Sequence, residues 1–332
     1  MQKKFFNIPI LFIIFNRADY AKKVFKEIKK IKPKKLYIAA DGPRKNNEAD
    51  LINCSKTREI INQITWECDI KTLFRKENLG CKISVSSAIT WFFNNEPLGI
   101  ILEDDCLPEQ SFFWFCKELL EKYKNNKKVM MIGGTSYLFN KVKFKESYFF
   151  TNYFHIWGWA TWKRAWRLYD INMKGWEDYK KSNTLLKIYK DQNITKFIQS
   201  MCQDAYDNLI NTWDIQWFFS CLKNEGYSII PKFNLISNIG VTGTHSDNQT
   251  TSHFFPTKPI NLKKIVHPQK IILDSCLNNI IYENILKGYP LSKFKKILLL
   301  TNKLFKRIIR RFFRFFNLEI KRINTYNAEK MK

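Results

Sequence analysis

Three consecutive carboxylates, Glu103-Asp104-Asp105, end the apolar run Gly99-Ile100-Ile101-Leu102 and stand just before Leu107-Pro108. Near-continuous apolarity over residues 98–102 predicts a strand covered on both faces, as in parallel sheets. The acids then sit at the carboxyl end of that strand, where open α/β sheets bind ligands. Adjacent negative charges repel unless a cation or hydrogen-bond donors balance them. Two readings fit. A hard divalent ion such as Mn2+ or Mg2+, itself holding phosphate oxygens, balances the acids. Alternatively, this is an acidic loop in which Asp104 or Asp105 caps the following helix.

Other positions carry similar pairs of readings. Asn16-Arg17-Ala18-Asp19 follows an apolar stretch, and Asp41 precedes Gly42-Pro43, a common turn sequence. Asn78-Leu79-Gly80 precedes a helical pattern, and a close-approaching glycine at a helix amino terminus suits a phosphate or ribose. Asp214, inside Trp213-Asp214-Ile215-Gln216-Trp217, is either a helix cap or a carboxylate free for acid–base work. His155 opens a segment with four tryptophans in ten residues, Trp157 and Trp159 among them, which paves a pocket or fills a core. His245 ends the glycine-bearing loop 234–245.

The elements that must position these residues alternate. Strands are predicted at Pro9 to Phe15, Leu36 to Ala40, Ile70 to Phe74, 98–102 and Val129 to Ile132. Helical spacing separates them: Ala21 to Ile31 with Asp19 as cap, Ala49 to Ile64, a stretch holding Ile83 to Phe92, and Phe112 to Tyr123. This rhythm predicts a doubly wound, mainly parallel sheet. After residue 145 it changes: a strand at Phe149 to Phe154, helical material from Leu185 to Asn211, a helix opened by Trp213, and a strand at Tyr227 to Ile230.

The motifs PILFIIFNRAD, LYIAADGPR, RKENLGCKISVSSAI, ILEDDCLPEQSFFWF, HIWGWATWKRAW, TWDIQWFFSCL and NLISNIGVTGTH occur in this order. Their succession over residues 9 to about 250 resembles bacterial GT-A-type glycosyltransferases of the haemolysin-like family. It is distantly similar to the eukaryotic β-1,2-N-acetylglucosaminyltransferase I family. The resemblance implies an α/β, GT-A (Rossmann-like) fold with a mainly parallel sheet and a mixed acceptor-side half. The implied divisions are 1–145 for the nucleotide-sugar half, 146–260 for the acceptor and catalytic half, and 261–332 for a carboxyl-terminal extension. By the same resemblance Asp105 ligates the metal, Asp104 faces the ribose, and Glu103 faces the sugar or stands behind the metal ligand. Arg17, Asp19, Asp41, Asn78 and Gly80 line the donor side. His155 bounds the acceptor pocket, Trp157 joins it there or is structural, His245 completes the metal shell or touches the diphosphate, and Asp214 is the general base of an inverting transfer.

Composition sets outer limits. The chain has 332 residues and a net charge of +26, which favours anionic partners. Eight scattered cysteines without a C-x-x-C pair suit reduced thiols rather than disulfides or zinc. Lys3-Lys4 followed by Phe5 to Phe15 imitates a secretory signal, but Asn7 and Pro9 interrupt it and no small-residue cleavage site follows. No window reaches the ~18 uninterrupted apolar residues of a spanning helix. Between Lys293 and Phe315 a basic face (Lys303, Lys306, Arg307, Arg310, Arg314) opposes an apolar one (Ile297, Leu300, Leu304, Ile308, Phe312, Phe315). That pattern suits an amphipathic helix lying on an anionic bilayer, or a terminal helix packed on the domain.

These features predict a metal-dependent transferase of nucleotide sugars, the donor a UDP-sugar and the acceptor a surface glycan or glycolipid such as lipopolysaccharide or capsule. It would act in the cytoplasm, peripherally at the inner face of the membrane. No pattern of a nucleic-acid-binding motif is present. The alternative is a membrane-active, haemolysin-like binding protein, which the basic helix supports and the acidic strand end does not.

Overall fold

The computed structural model describes residues 6–138, 142–240 and 256–287. The chain divides into a unit of residues 1–285 and another of 286–332. His245 and the basic segment from Lys293 onward lie outside the described residues.

The chain opens with β1 (Ile10–Ile14), α1 (Ala18–Ile31), β2 (Lys35–Ala40), α2 (Glu48–Arg58), a 3-10 turn (Glu59–Gln63), β3 (Asp69–Phe74), α3 (Gly80–Asn95) and β4 (Leu98–Glu103). Next come β5 (Cys106–Pro108), α4 (Gln110–Lys122), β6 (Val129–Gly133), β7 (Tyr148–Thr151), β8 (Trp159–Trp162) and α5 (Lys163–Trp166). The remaining elements are α6 (Trp176–Lys181), α7 (Thr184–Tyr189), α8 (Gln192–Tyr206), α9 (Asp214–Lys223), β9 (Tyr227–Pro231), β10 (Ile236–Asn238) and α10 (Ser275–Lys287).

One sheet takes eight strands in the order β3-β2-β1-β4-β8-β6-β9-β7. β3, β2, β1 and β4 are parallel, and β8 runs against both β4 and β6. β9 is parallel to β6, and β7 closes the edge antiparallel to β9. Six of the eight strands therefore share one direction. The alternation of strand side chains supplies two apolar faces. Ile10, Phe12, Ile14, Leu36 and Ile38 join Val24, Phe25 and Ile28 of α1 and Phe112 and Leu119 of α4 in one core. On the opposite face Tyr37 meets Trp91 and Phe92 of α3, at ring centroid distances of 5.2 and 4.9 Å. Helices cover both faces, so the fold is a doubly wound α/β sheet that is mainly parallel.

Several sequence expectations are corrected. β8 was hidden inside the tryptophan segment. It wedges between β4 and β6, so β4 has a parallel neighbour on one side only. The loop expected from Asn234 contains β10, which pairs with β5 as a separate antiparallel ribbon. The helix beginning near Ala49 gives way to a 3-10 turn after Arg58. The helical stretch from Leu185 breaks at Lys190, whose φ of 51° ends α7. Asp19 does not cap α1, whose N-cap residue is Arg17 without a side-chain bond. Nor do Asp104 or Asp105 cap the next helix: β5 intervenes, and Glu109 accepts from Ser111 N–H at the start of α4.

Gly99 in β4 lies where α3 crosses the sheet. A side chain there would run into the Phe92 ring and stand 2.9 Å from the Pro9 carbonyl oxygen. Gly99→Val should lower stability by about 1–3 kcal/mol through overpacking. The measurement is the urea midpoint, which should fall at unchanged m-value.

Candidate functional site

Parallel pairing brings the ends of β1, β2 and β4 to one rim. Register sets Ile13 opposite Glu103, so the residues just beyond β1 lie beside those just beyond β4. Phe15 N–H donates to Asp104 Oδ2 at 3.2 Å. Arg17 Nη2 donates to Asp104 Oδ1 and lies 3.0 Å from Asp105 Oδ2. One guanidinium thus bridges two carboxylates, of which Asp104 is buried and Asp105 partly exposed. Burial, with Asp105 and Asp104 adjoining, pushes the Glu103 carboxyl up to about 8. Burial also raises Asp104, to about 6, against the pull of Arg17. A protonated Glu103 can donate a hydrogen bond to a ligand as well as accept one. Gly240 closes the third side. A side chain there would collide with Asp105 Oδ2 and approach Arg17 Nη1 to 3.1 Å. Ile239 N–H donates to the Asp105 carbonyl oxygen at 2.8 Å, which holds the strand end against the ribbon.

Asp41 is nearly buried and fully engaged. Its carboxylate accepts from Gly42 N–H at 2.9 Å, Leu79 N–H at 3.0 Å, Gly80 N–H at 3.1 Å and the Asn78 side-chain amide at 3.0 Å. Asn78 also donates to the Gly42 carbonyl oxygen at 2.9 Å. Asn211 Oδ1 accepts from Lys82 N–H at 3.1 Å, and Gly80, with φ of +77°, lies against the same amide. Asp41, Asn78 and Gly80 therefore join the end of β2 to the start of α3. A ligand contacting Asp41 must share an acceptor already used. Asp19 is exposed in the first turn of α1.

A second carboxylate organises this rim and was missed at the sequence level. Asp50 of α2 is buried. It accepts from Asn16 Nδ2 at 2.7 Å, Arg44 N–H at 3.1 Å and Arg44 Nη2 at 2.9 Å. It ties the loop after β1, which carries Arg17, to the loop after β2. Its signal was a charge on the buried stripe Asp50, Cys54, Thr57, at spacing i, i+4, i+7. The bond to Arg44 outweighs burial and lowers Asp50 to about 2.

Asp214 is the first residue of α9. Trp213 stacks on Trp159 at 5.9 Å between centroids, and Trp159 pairs with Ile101, two residues before Glu103. The charge of Asp214 acts on both Glu103 and the Cys81 thiol. Thr212 Oγ1 donates to Asp214 Oδ1, and no described residue donates to Oδ2. Trp159, Trp213 and Trp217 are fully buried, so they are the floor beneath Asp214 rather than a pocket lining. The segment ahead of Trp159 emerges at the same rim, because Trp159 also pairs with Gly133. There His155 sits between two phenols, Tyr137 OH at 3.3 Å from Nε2 and Tyr153 OH at 3.1 Å from Nδ1. Trp157 lies edge-on to His155 at 4.4 Å. Tyr137 and Tyr153 gave no sequence signal, since their spacing to His155 is not periodic. A cleft of about 300 Å³ lined by Thr90, Phe93, Lys163, Trp166 and Arg167 lies towards the far end of α3, away from the acids.

Asp105 fits a hard cation in donor type and exposure. Among the described residues no group of three His, Cys, Asp or Glu side chains is gathered to hold a metal. A cation at Asp105 would therefore need further oxygens from a bound ligand or from water, which Mg2+ and Mn2+ accept.

No protein-family profile and no curated protein sequence matches the chain, so the haemolysin-like resemblance gains no support. Among solved structures it is similar to S. aureus TarS 1–349, with 9% identity, TM-score 0.37, and coverage of 68% of this chain and 58% of that one. The chain thus spans under two thirds of that structure. It is also similar to mouse xyloside xylosyltransferase 1, with 10% identity, TM-score 0.32 and coverage of 66% and 82%. Similarity to a UDP-glucose pyrophosphorylase is at 10% identity, TM-score 0.34 and coverage of 69% and 93%. At these identities the fold class rests on the strand order, a mixed α/β sheet consistent with a Rossmann-like GT-A arrangement.

The Asp50 contacts make a pH-dependent contribution. Its folded value, about 2, lies below the ordinary 3.8, so the contribution is present above that value and lost as pH falls towards 2. Asp50→Asn should cost at most about 2 kcal/mol at pH 7, after allowing for screening at the half-exposed Arg44. Urea titrations at pH 7 and pH 3 should show the gap between wild type and variant narrowing in acid.

Proposed function

We propose that the protein transfers a sugar from a nucleotide sugar, with a UDP-sugar as donor and a glycan or glycolipid as acceptor. The observation supporting this is the meeting of Glu103, Asp104, Asp105 and Arg17 at the carboxyl ends of parallel strands, where ligands bind in open α/β sheets, with Asp214 near enough for its charge to act on Glu103. Asp105, with His245, would hold Mn2+ or Mg2+, and when bound the ion offsets charge building on the departing diphosphate.

The chain's own residues supply the rest. Arg17 holds Asp104 in place and presents positive charge to the donor. Glu103 meets the sugar hydroxyls. Asp214, with Oδ1 fixed by Thr212, takes the acceptor proton at Oδ2. Attack from the side away from the leaving group then inverts the anomeric carbon in a single displacement. His155 and Trp157 offer half-buried rings to an acceptor saccharide. A division at residues 145 and 260 assigns donor and acceptor contacts to successive parts of the chain, although one sheet draws strands from both sides of residue 145. Surface glycans such as lipopolysaccharide or capsule, reached from the cytoplasmic side, fit the basic amphipathic pattern after Lys293. No helix among the described residues is long and apolar enough to cross a membrane.

The reading is tested by a thermal-shift screen of sugar nucleotides with Mn2+, in which a UDP-sugar should raise the melting temperature. Asp214→Asn should then lower kcat by a factor of about 100 or more while leaving donor binding unchanged. Undiminished transfer by this variant removes Asp214 from the chemistry, and absence of any nucleotide-sugar binding removes the function.

A further inference from the structure

Arg17 occupies the space where a cation is expected. Its Nη2 bonds to Asp104 Oδ1 and stands 3.0 Å from Asp105 Oδ2, so a single nitrogen serves both acids. The two partnerships are unequal. Asp104 is buried, is held from behind by Phe15 N–H, and follows the last residue of β4 directly. Asp105 is more open, and its other side-chain partner among the described residues is the weak Cys106 thiol donor at 3.5 Å. The backbone at Gly240 packs against both Asp105 and Arg17, which confines the pair to a small space. A guanidinium has five N–H donors, so losing Asp105 need not cost it Asp104. The Asp105 contact is the one that can open.

We propose that Arg17 is a resident counter-ion that competes with a divalent cation for Asp105, and that the guanidinium, once displaced, turns to the diphosphate of the donor while keeping Asp104. This rests on the donor reading above and adds to it an order of affinities. Without nucleotide, Arg17 holds the acidic end neutralised and the metal binds weakly. With nucleotide, the displaced guanidinium gains phosphate oxygens, so metal and nucleotide each strengthen the other's binding, and by the same factor.

The test is Mn2+ binding, read from the EPR signal of the free ion, on wild type, Arg17→Met and Arg17→Lys, with and without UDP. Circular dichroism establishes that each variant is folded. Without UDP, Arg17→Met should bind Mn2+ about tenfold more tightly, the scale of one charge-assisted competitor removed. Arg17→Lys, a compact point charge that does not fork, should fall between the two. With UDP the wild-type affinity should rise by a factor that shrinks in both variants. Equal or weaker Mn2+ binding by a folded Arg17→Met overturns the proposal. Should that variant not fold, equal binding by Arg17→Lys and wild type does the same. Failure of UDP to bind wild type at saturating Mn2+ strikes instead at the donor reading, since the comparison without nucleotide stands by itself.

Discussion

The pairing of Arg17 with Asp104 and Asp105 is the constraint on which the rim depends. A buried strand that ends in three carboxylates has a problem of charge, since desolvation and mutual repulsion both oppose ionisation. The sheet answers it by topology. β1 and β4 are parallel neighbours, so the residues that leave β1 arrive beside those that leave β4. A backbone N–H from Phe15 and the guanidinium of Arg17 are delivered together to the same carboxylate. Had β4 been antiparallel to β1, these donors would lie at the opposite edge of the sheet. Glu103, buried beside the other two acids, carries the cost as a raised affinity for its proton, which the charge of Arg17 only partly offsets.

The neighbouring carboxylates divide the work. Asp41 and Asp50 are spent on architecture, one capping the start of α3 and the other joining two loops through Asn16 and Arg44. Their hydrogen bonds hold the ends of β1 and β2 in fixed relation, which in turn fixes where Arg17 projects. Asp105 and Asp214 are half-open and less fully bonded, and these are the groups left with capacity for a ligand. Beneath Asp214 a layer of packed tryptophans sets its height, because Trp213 stacks on the strand residue Trp159. Stacked aromatic rings resist small displacements, so a loop-borne acid gains a rigid base.

Much of the fold was legible. Apolar runs marked β1, β2, β4, β6 and β9, and helical spacing marked α1, α3 and α4, because each buries a face whose period is visible in a short window. The strand that escaped, β8, is a run of Trp, Ala, Thr and Trp with no clean alternation, and its identity depends on the two strands it lies between. β5 and β10 are three-residue strands that exist only because they pair with each other. At the site, the acids were visible as a cluster and Asp214 as an acid among tryptophans. Asp50 was not, since its one signal, a charge on the short stripe with Cys54 and Thr57, is faint on a helix whose Leu51 and Ile52 are exposed.

By itself the sequence determined the longer strands and helices of the first half, that the acids stand at a strand's carboxyl end, and that the chain is strongly basic. These are local properties, set by side-chain period and by residue type. Tertiary structure alone decided the partners: that Arg17 balances Asp104 and Asp105, that Asp41 is spent on capping α3, and that Asp214 shares the rim with Glu103. Those outcomes depend on contacts between residues far apart in the chain, 87 positions for Arg17 and Asp104 and 37 to 39 for Asp41 and the start of α3. No short window of sequence carries the distance across a sheet that decides them.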